Sequence, residues 1–159
     1  MASSSKPKRN YEVFLSFRGT DMRNNFLSHL YKALNQNGIS TFVDSEGVRK
    51  GDQTSSVLMK AIRESCLAVI IFSEDYASSR WCLEEVAKIM ECKEQMNLIV
   101  LPVFYKVDPR EVRQGIQSYG TALAKHDYDF GKDSEKVKRW KKALLMLVAC
   151  LGGISLMGK

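Results

Sequence analysis

The run Cys66-Leu-Ala-Val-Ile-Ile-Phe72 is continuously apolar and rich in β-branched residues, and it limits the architecture more than any other part of the chain. A strand with one wet face alternates polar and apolar residues. An unbroken apolar strand is covered on both faces, as in the interior of a parallel sheet flanked by helices. This segment therefore predicts a central strand.

Other segments fit around it. Tyr11-Glu-Val-Phe-Leu-Ser-Phe alternates and then turns apolar, which predicts a first strand followed by a loop at Arg18-Gly19-Thr20-Asp21. Residues 39–43 predict a short second strand, and Leu98-Ile-Val-Leu-Pro-Val-Phe-Tyr105 a fourth. Pro102 donates no ladder hydrogen bond, so a bulge is expected there. From Arg23, the residues Phe26, Leu27, Leu30, Tyr31 and Leu34 recur at helical spacing up to Asn37-Gly38, which supplies a left-handed stop. Thr54 or Ser55 is placed to cap a helix carrying Val57, Leu58, Ala61 and Ile62. Leu83, Val86, Ala87 and Met90 give the next helix an apolar face. Counting at 3.6 residues per turn places Glu85 in its first turn, roughly opposite that face. Residues 44–52 have turn chemistry and no periodicity, which predicts an exposed loop. The stretch from Val107 to about His126 reads as irregular with short helical pieces. Ser134 then caps a last helix bearing Val137, Trp140, Leu144, Leu147 and Leu151, closed by Gly152-Gly153.

Strands alternating with helices imply right-handed crossovers, a parallel sheet and helices on both faces. In such open sheets ligands bind beyond the carboxyl ends of the strands, where the winding reverses. For order 2-1-3-4-5 the reversal falls between strands one and three. That places Phe17-Arg18-Gly19 beside the segment from Ser73 to Glu85.

Composition narrows the class. A length of 159 residues with 45% hydrophobic content fits one globular domain and excludes a disordered chain. Residues 1–10 form a basic, Ser-rich tail without the apolar region of a secretory signal, and no apolar run approaches the ~20 residues of a membrane span. The expected location is intracellular, with no transmembrane helix. Cys66, Cys82, Cys92 and Cys150 contain no Cys-x-x-Cys pair, which argues against zinc and against a disulfide framework, so no metal is expected. The net charge of +6 is concentrated in the tail and at Lys132, Lys136, Lys138, Arg139, Lys141 and Lys142, a pattern that suits a solvated helix face. A nucleic-acid partner is neither supported nor excluded, since none of the named recognition motifs occurs.

Several residues admit both a bland and a chemical role. Glu85 at a helix start either compensates the macrodipole, worth ~0.3–1 kcal/mol, or acts on a ligand. Glu84, with Lys88 four residues on, reads as a surface pair. Arg18 either grips a diphosphate through its forked donors or pairs with a surface acid such as Asp21. Trp81 is either a core anchor or a platform for a ring. Thiol catalysis by Cys82 is disfavoured, because His29 and His126 are the only histidines and neither is near it in sequence. Neither a G-x-G-x-x-G nor a Walker loop is present, so any nucleotide site is unconventional.

Read together, these segments resemble the plant-type Toll/interleukin receptor (TIR) domain. The matches are Tyr11-Glu-Val-Phe-Leu-Ser-Phe-Arg-Gly, Phe42-Val-Asp followed by the Gly51 loop, and Ala61-Ile-Arg-Glu-Ser. Further matches are Phe72-Ser-Glu-Asp-Tyr-Ala-Ser-Ser-Arg-Trp-Cys-Leu-Glu-Glu, Leu101-Pro-Val-Phe-Tyr-Lys-Val-Asp-Pro and Glu135-Lys-Val-Lys-Arg-Trp. The resemblance covers residues 11–153 and leaves 154–159 as a C-terminal tail or the start of a linker. It implies an α/β, flavodoxin-like three-layer sandwich, with a five-stranded parallel sheet of order 2-1-3-4-5 whose fifth strand lies near residues 127–131. Met22, Thr54 and the lack of a Gly-Trp ending depart from the pattern.

The resemblance also implies an activity. Plant members form the signalling end of intracellular immune receptors or occur as shorter proteins, and many cleave NAD+ on self-association. The implied catalytic residue is Glu85, the second acid of Trp-Cys-Leu-x-Glu. Phe17, Arg18, Gly19, Ser79 and Trp81 match positions lining the nucleotide pocket. Ser28 and His29 match a self-association surface on the first helix. NAD+ or NADP+ enters as substrate, no cofactor is implied, and the expected location is the cytoplasm with the nucleus as a second compartment. The resemblance leaves a second class open, a non-enzymatic adaptor acting only through homotypic contacts, for which His29 matters and Glu85 does not. A response regulator is disfavoured because strand one ends Ser16-Phe17, without an acidic pair to hold Mg2+. A flavin carrier is disfavoured because Phe17 and Arg18 stand where small phosphate-cradling residues are wanted.

Overall fold

Among the described residues five strands make one sheet: β1 (Tyr11–Ser16), β2 (Thr41–Val43), β3 (Ser65–Phe72), β4 (Ile99–Tyr105) and β5 (Ile154–Leu156). Every neighbouring pair is parallel, in the order β2-β1-β3-β4-β5, and the apolar run at 66–72 is the middle strand, as its composition predicts. The computed structural model describes residues 11–18, 26–43, 52–131, 133–150 and 154–156. The tail at 1–10, the start of the first helix at Arg23, Met22, Gly19, residues 44–51 of the loop, and Leu151-Gly152-Gly153 lie outside the described residues. The helices are α1 (Phe26–Gln36), α2 (Asp52–Arg63), α3 (Arg80–Met96), α4 (Pro109–Gln114), α5 (Gln117–Phe130) and α6 (Glu135–Cys150), with a 3-10 turn at Tyr76–Ser78 before α3. Among the described residues no helix is long and apolar enough to cross a membrane.

The strands separate two apolar layers by simple alternation. Phe14, Ala68, Ile70, Phe72, Val100 and Phe104 face a large core shared with α2, α3, α5 and α6. Leu15, Phe17, Ile71 and Val103 face a smaller core with Leu27 of α1. Helices thus cover both faces.

Four expectations are corrected. The fifth strand is not at 127–131. Tyr119, Ala122, Leu123 and His126 are all buried at helical spacing and commit that segment to α5, which Gly131 ends at φ 97°. The strand is instead Ile154–Leu156, in the stretch assigned to a tail, pairing with Val103, Phe104 and Tyr105. Pro102 causes no bulge: the β3–β4 register runs without a skip from Leu67↔Ile99 to Phe72↔Phe104, and Pro102 stands one residue before the β5 ladder begins. α2 starts at Asp52, so Thr54 and Ser55 lie within its first turn instead of capping it. The segment read as irregular is largely α4 and α5. Asp108 caps α4 by accepting from Arg110 N at 2.8 Å.

Glu84 has a larger structural role than a surface pair. Its carboxylate receives Lys88 Nζ at 3.4 Å, as predicted, but also Arg139 Nη2 at 3.2 Å and the indole Nε1 of Trp140 at 3.0 Å. It ties α3 to α6. Arg139 is mostly exposed and contributes little through screened solvent. The indole is different, because its ring is buried and its N–H has no water to turn to. Glu84→Ala is expected to destabilise the fold by about 1–3 kcal/mol, the cost of leaving a buried donor unmade. Urea unfolding should show a lower midpoint at constant m.

Candidate active site

β1 and β3 are adjacent and their crossovers leave in opposite directions, so their carboxyl ends open onto the crevice that open α/β sheets use for ligands. The described part of that end comprises Ser16, Phe17 and Arg18 after β1, and Ser73 to Glu85 after β3. The two are in contact: Cys82 Sγ donates to the Phe17 carbonyl at 3.5 Å, and Ser16 Oγ donates to Glu85 Oε1 at 2.5 Å. The juxtaposition expected from topology is present.

Helical counting put Glu85 on the correct side of α3, away from Leu83 and Ala87, but in the wrong turn. It lies beyond the first turn of α3, which contains no acid, and it is 2% exposed. Cys82, Glu85, Val86, Ile89 and Cys92 are all buried and form a second inward stripe at spacings of three and four. The face with Leu83 and Ala87 is buried as well, so α3 is covered on two sides and Glu85 belongs to the one looking at the end of β1. The macrodipole explanation fails on the same position, since that effect is confined to the first turn.

Local structure explains how the carboxylate is held there. Ser79 is extended, at φ −94° and ψ 117°, and its hydroxyl accepts from Cys82 N at 3.1 Å, starting α3 directly behind the 3-10 turn. The turn is pinned from α5 at two points. Tyr119 Oη donates to the Ser73 carbonyl at 2.7 Å, and His126 Nε2 lies 2.9 Å from the Ala77 carbonyl. A carbonyl only accepts, so His126 is the Nε2–H donor in that contact. Tyr76, carried by the turn, is fully buried against Phe72 in a T-shaped pair at 5.1 Å. Its hydroxyl stands 2.7 Å from Ser16 Oγ and donates to the Cys82 carbonyl at 3.2 Å. Burial pushes the Tyr76 phenol well above its ordinary value, and Cys82 and Glu85 add to the rise. It stays protonated at neutral pH.

The other predicted residues divide. Phe17 is buried, but its ring belongs to the smaller core on the α1 side, so only its backbone meets α3. Arg18 is half-buried at the mouth of the crevice, and Trp81 is half-buried against the larger core. Ser79 is buried as the cap of α3. Ser28 and His29 are exposed on α1, across the sheet from Glu85. Sequence reasoning missed Ser16 and Tyr76. The available signal was the serine hydroxyl that closes the buried run Val13-Phe-Leu of β1, on the same face as Phe14. Among the described residues there is no disulfide: Cys66, Cys82 and Cys92 are free thiols.

Known proteins supply an independent comparison. The family model described as TIR domain matches residues 10–156. The TMV resistance protein N of Nicotiana glutinosa is 49% identical over 145 residues, covering 91% of this chain and 13% of that protein. The disease resistance protein RPV1 of Vitis rotundifolia is 48% identical over 147 residues, covering 90% of this chain and 10% of that protein. The chain therefore spans only a small part of the length of these plant relatives. Among solved structures, the TIR domains of the activated Roq1 resistosome, which directly recognises the pathogen effector XopQ, superpose with a TM-score of 0.82 at 49% identity, covering 92% of this chain and 88% of that one. Motifs, sheet order and these matches agree, and the chain belongs to the TIR domain family.

Proposed function

We propose that the chain is a plant immune signalling domain that self-associates and hydrolyses NAD+ and NADP+ to nicotinamide plus ADP-ribose or cyclic ADP-ribose-type products, triggering defence and cell death. The observation that carries this reading is a buried carboxylate, Glu85, held by a hydroxyl donor at the topological switch point.

The chemistry suits one carboxylate. In NAD+ the nicotinamide ring is already cationic, so when its bond to the ribose breaks, the electron pair goes to the ring nitrogen and the base leaves neutral. The general acid that protonates the leaving oxygen in ordinary glycosidases is not needed. Positive charge develops on the ribose, and a fixed anion in a water-poor setting stabilises it without reorganising. Glu85 is the residue for that role and for orienting the ribose hydroxyls. Arg18, at the mouth, holds a phosphate, and Trp81 closes the pocket. Water then attacks the ribose carbon and releases a proton, giving ADP-ribose, whereas attack by an internal hydroxyl or the adenine gives a cyclic product. NAD+ enters as substrate, and the reaction as proposed draws on no cofactor. The test is nicotinamide release by the purified domain at increasing protein concentration, with Glu85→Gln alongside. Release that rises faster than linearly and is lost in the variant supports the reading. No release even from crowded protein would leave the homotypic adaptor.

Self-association is supported by the assembly named for the Roq1 TIR domains and by the exposure of Ser28 and His29 on α1. His29→Glu is expected to lower activity about tenfold at fixed protein concentration, as the loss of a contact worth more than about 1 kcal/mol does. The melting temperature should not change. Equal activity at all concentrations would count against this surface. The cytoplasm, with the nucleus as a second compartment, is the proposed location.

A further inference from the structure

We propose that Ser16 and Tyr76 are positioning residues for Glu85, forming a directed pair of hydrogen bonds from Tyr76 Oη to Ser16 Oγ to Glu85 Oε1 that fixes the carboxylate's orientation and its charged state. This inference rests on the proposed NAD+ chemistry and assigns two residues to it that neither the motif nor the composition singles out.

The direction follows from a count of protons. A serine hydroxyl has one proton, and an ionised carboxylate only accepts, so at 2.5 Å the Ser16 proton lies toward Oε1. That separation is the short range of an O–H donor facing a charged acceptor. Ser16 has no second proton to give, so its 2.7 Å contact with Tyr76 is donated by the phenol, which shares its proton with the Cys82 carbonyl at 3.2 Å. All three side chains are buried. Ser16 and Glu85 are 69 residues apart, and Ser16 and Tyr76 are 60 apart, so the arrangement depends on the completed sheet and not on local turn chemistry.

Each bond matters because the carboxylate is out of water. A buried anion is costly unless donors compensate it, and a donor to the charged form favours that form. Around the phenol of the 3-10 turn lie Cys82 and Glu85 of α3 and Tyr119 of α5, and Arg18 stands two residues beyond Ser16 at the mouth of the crevice. The Ser16 hydroxyl donates directly to Oε1.

The test is the pH profile of kcat and KM for NAD+ in the wild-type domain, Ser16→Ala, Ser16→Thr and Tyr76→Phe. Ser16→Ala is expected to move the acid limb of kcat up by about one pH unit, equivalent to one hydrogen bond to a charged group. It should also lower kcat several-fold at neutral pH with little change in KM. Ser16→Thr keeps the hydroxyl and should retain the wild-type limb. Tyr76→Phe should shift the limb in the same direction by less. A general loss of stability lowers the active fraction but does not relocate the limb. An unmoved limb in Ser16→Ala overturns the inference. If that variant does not fold, an unmoved limb in Tyr76→Phe does so. A wild-type domain that releases no nicotinamide removes the NAD+ reading and this one with it. Glu85-dependent release with unaltered Ser16→Ala and Tyr76→Phe profiles removes only the positioning role.

Discussion

Glu85→Ala is expected to reduce nicotinamide release by about 100- to 1,000-fold, the range seen when one preorganised electrostatic group is taken from a transition state. The loss should fall on kcat, because the charge that Glu85 opposes develops only as the glycosidic bond breaks, while the remote phosphates and adenine bind as before. The domain should remain folded. Alanine leaves the Ser16 hydroxyl with its 2.7 Å contact to Tyr76. Removing a buried anion also removes its desolvation cost, so the melting temperature is expected to hold or rise. Parallel nicotinamide assays and thermal melts check both halves. Wild-type turnover by Glu85→Ala would sink the assignment.

The largest expected effect on stability is at Trp140. Its side chain is 1% exposed, its ring meets His126 at 5.3 Å and Phe130 at 5.7 Å, both edge-on, and its indole N–H serves Glu84. Trp140→Ala opens a cavity between α3, α5 and α6 and leaves Glu84 with Lys88 and Arg139 as its partners. A cost of about 3–5 kcal/mol follows, a large share of the ~5–15 kcal/mol that holds an ordinary domain together. Trp140→Phe keeps much of the ring and loses the donor, so it should fall between Trp140→Ala and wild type. Urea midpoints of the three proteins, at equal m, provide the comparison.

What the sequence made legible was whatever carried strong periodicity. The run at 66–72 could only be an interior parallel strand, and from it came the layer order, the switch point and the meeting of the Phe17 and Glu85 segments. The fifth strand was missed because Ile154-Ser-Leu156 is too short to have a pattern of its own; it pairs because β4 offers an open edge. The signal against a strand at 127–131 was present in the spacing of Tyr119, Leu123 and His126, and the resemblance outweighed it. Glu85 was singled out by its motif and placed, correctly, away from the Leu83 and Ala87 face, but its burial was not legible. Counting began from Leu83, Val86, Ala87 and Met90, while Cys82, Ile89 and Cys92 belong to a second buried stripe in which cysteine is a weak hydrophobic marker. The pairing of Ser16 with Tyr76 was not legible because long-range hydroxyl pairs leave no trace in local spacing, although the lone serine closing β1 was a signal for one half of it.

Glu84 and Glu85 are consecutive residues of α3, and consecutive side chains on a helix diverge by about 100° around its axis. The indole and guanidinium of α6 hold the first of them, and so they set the roll of the whole helix. The aim of Glu85 is therefore also set about a quarter-turn around α3, outside the crevice. A rotation of α3 by even a fraction of that angle carries the carboxylate off Ser16. The neighbouring acid works as a set screw, and the aim of the site is only as firm as the joint between α3 and α6.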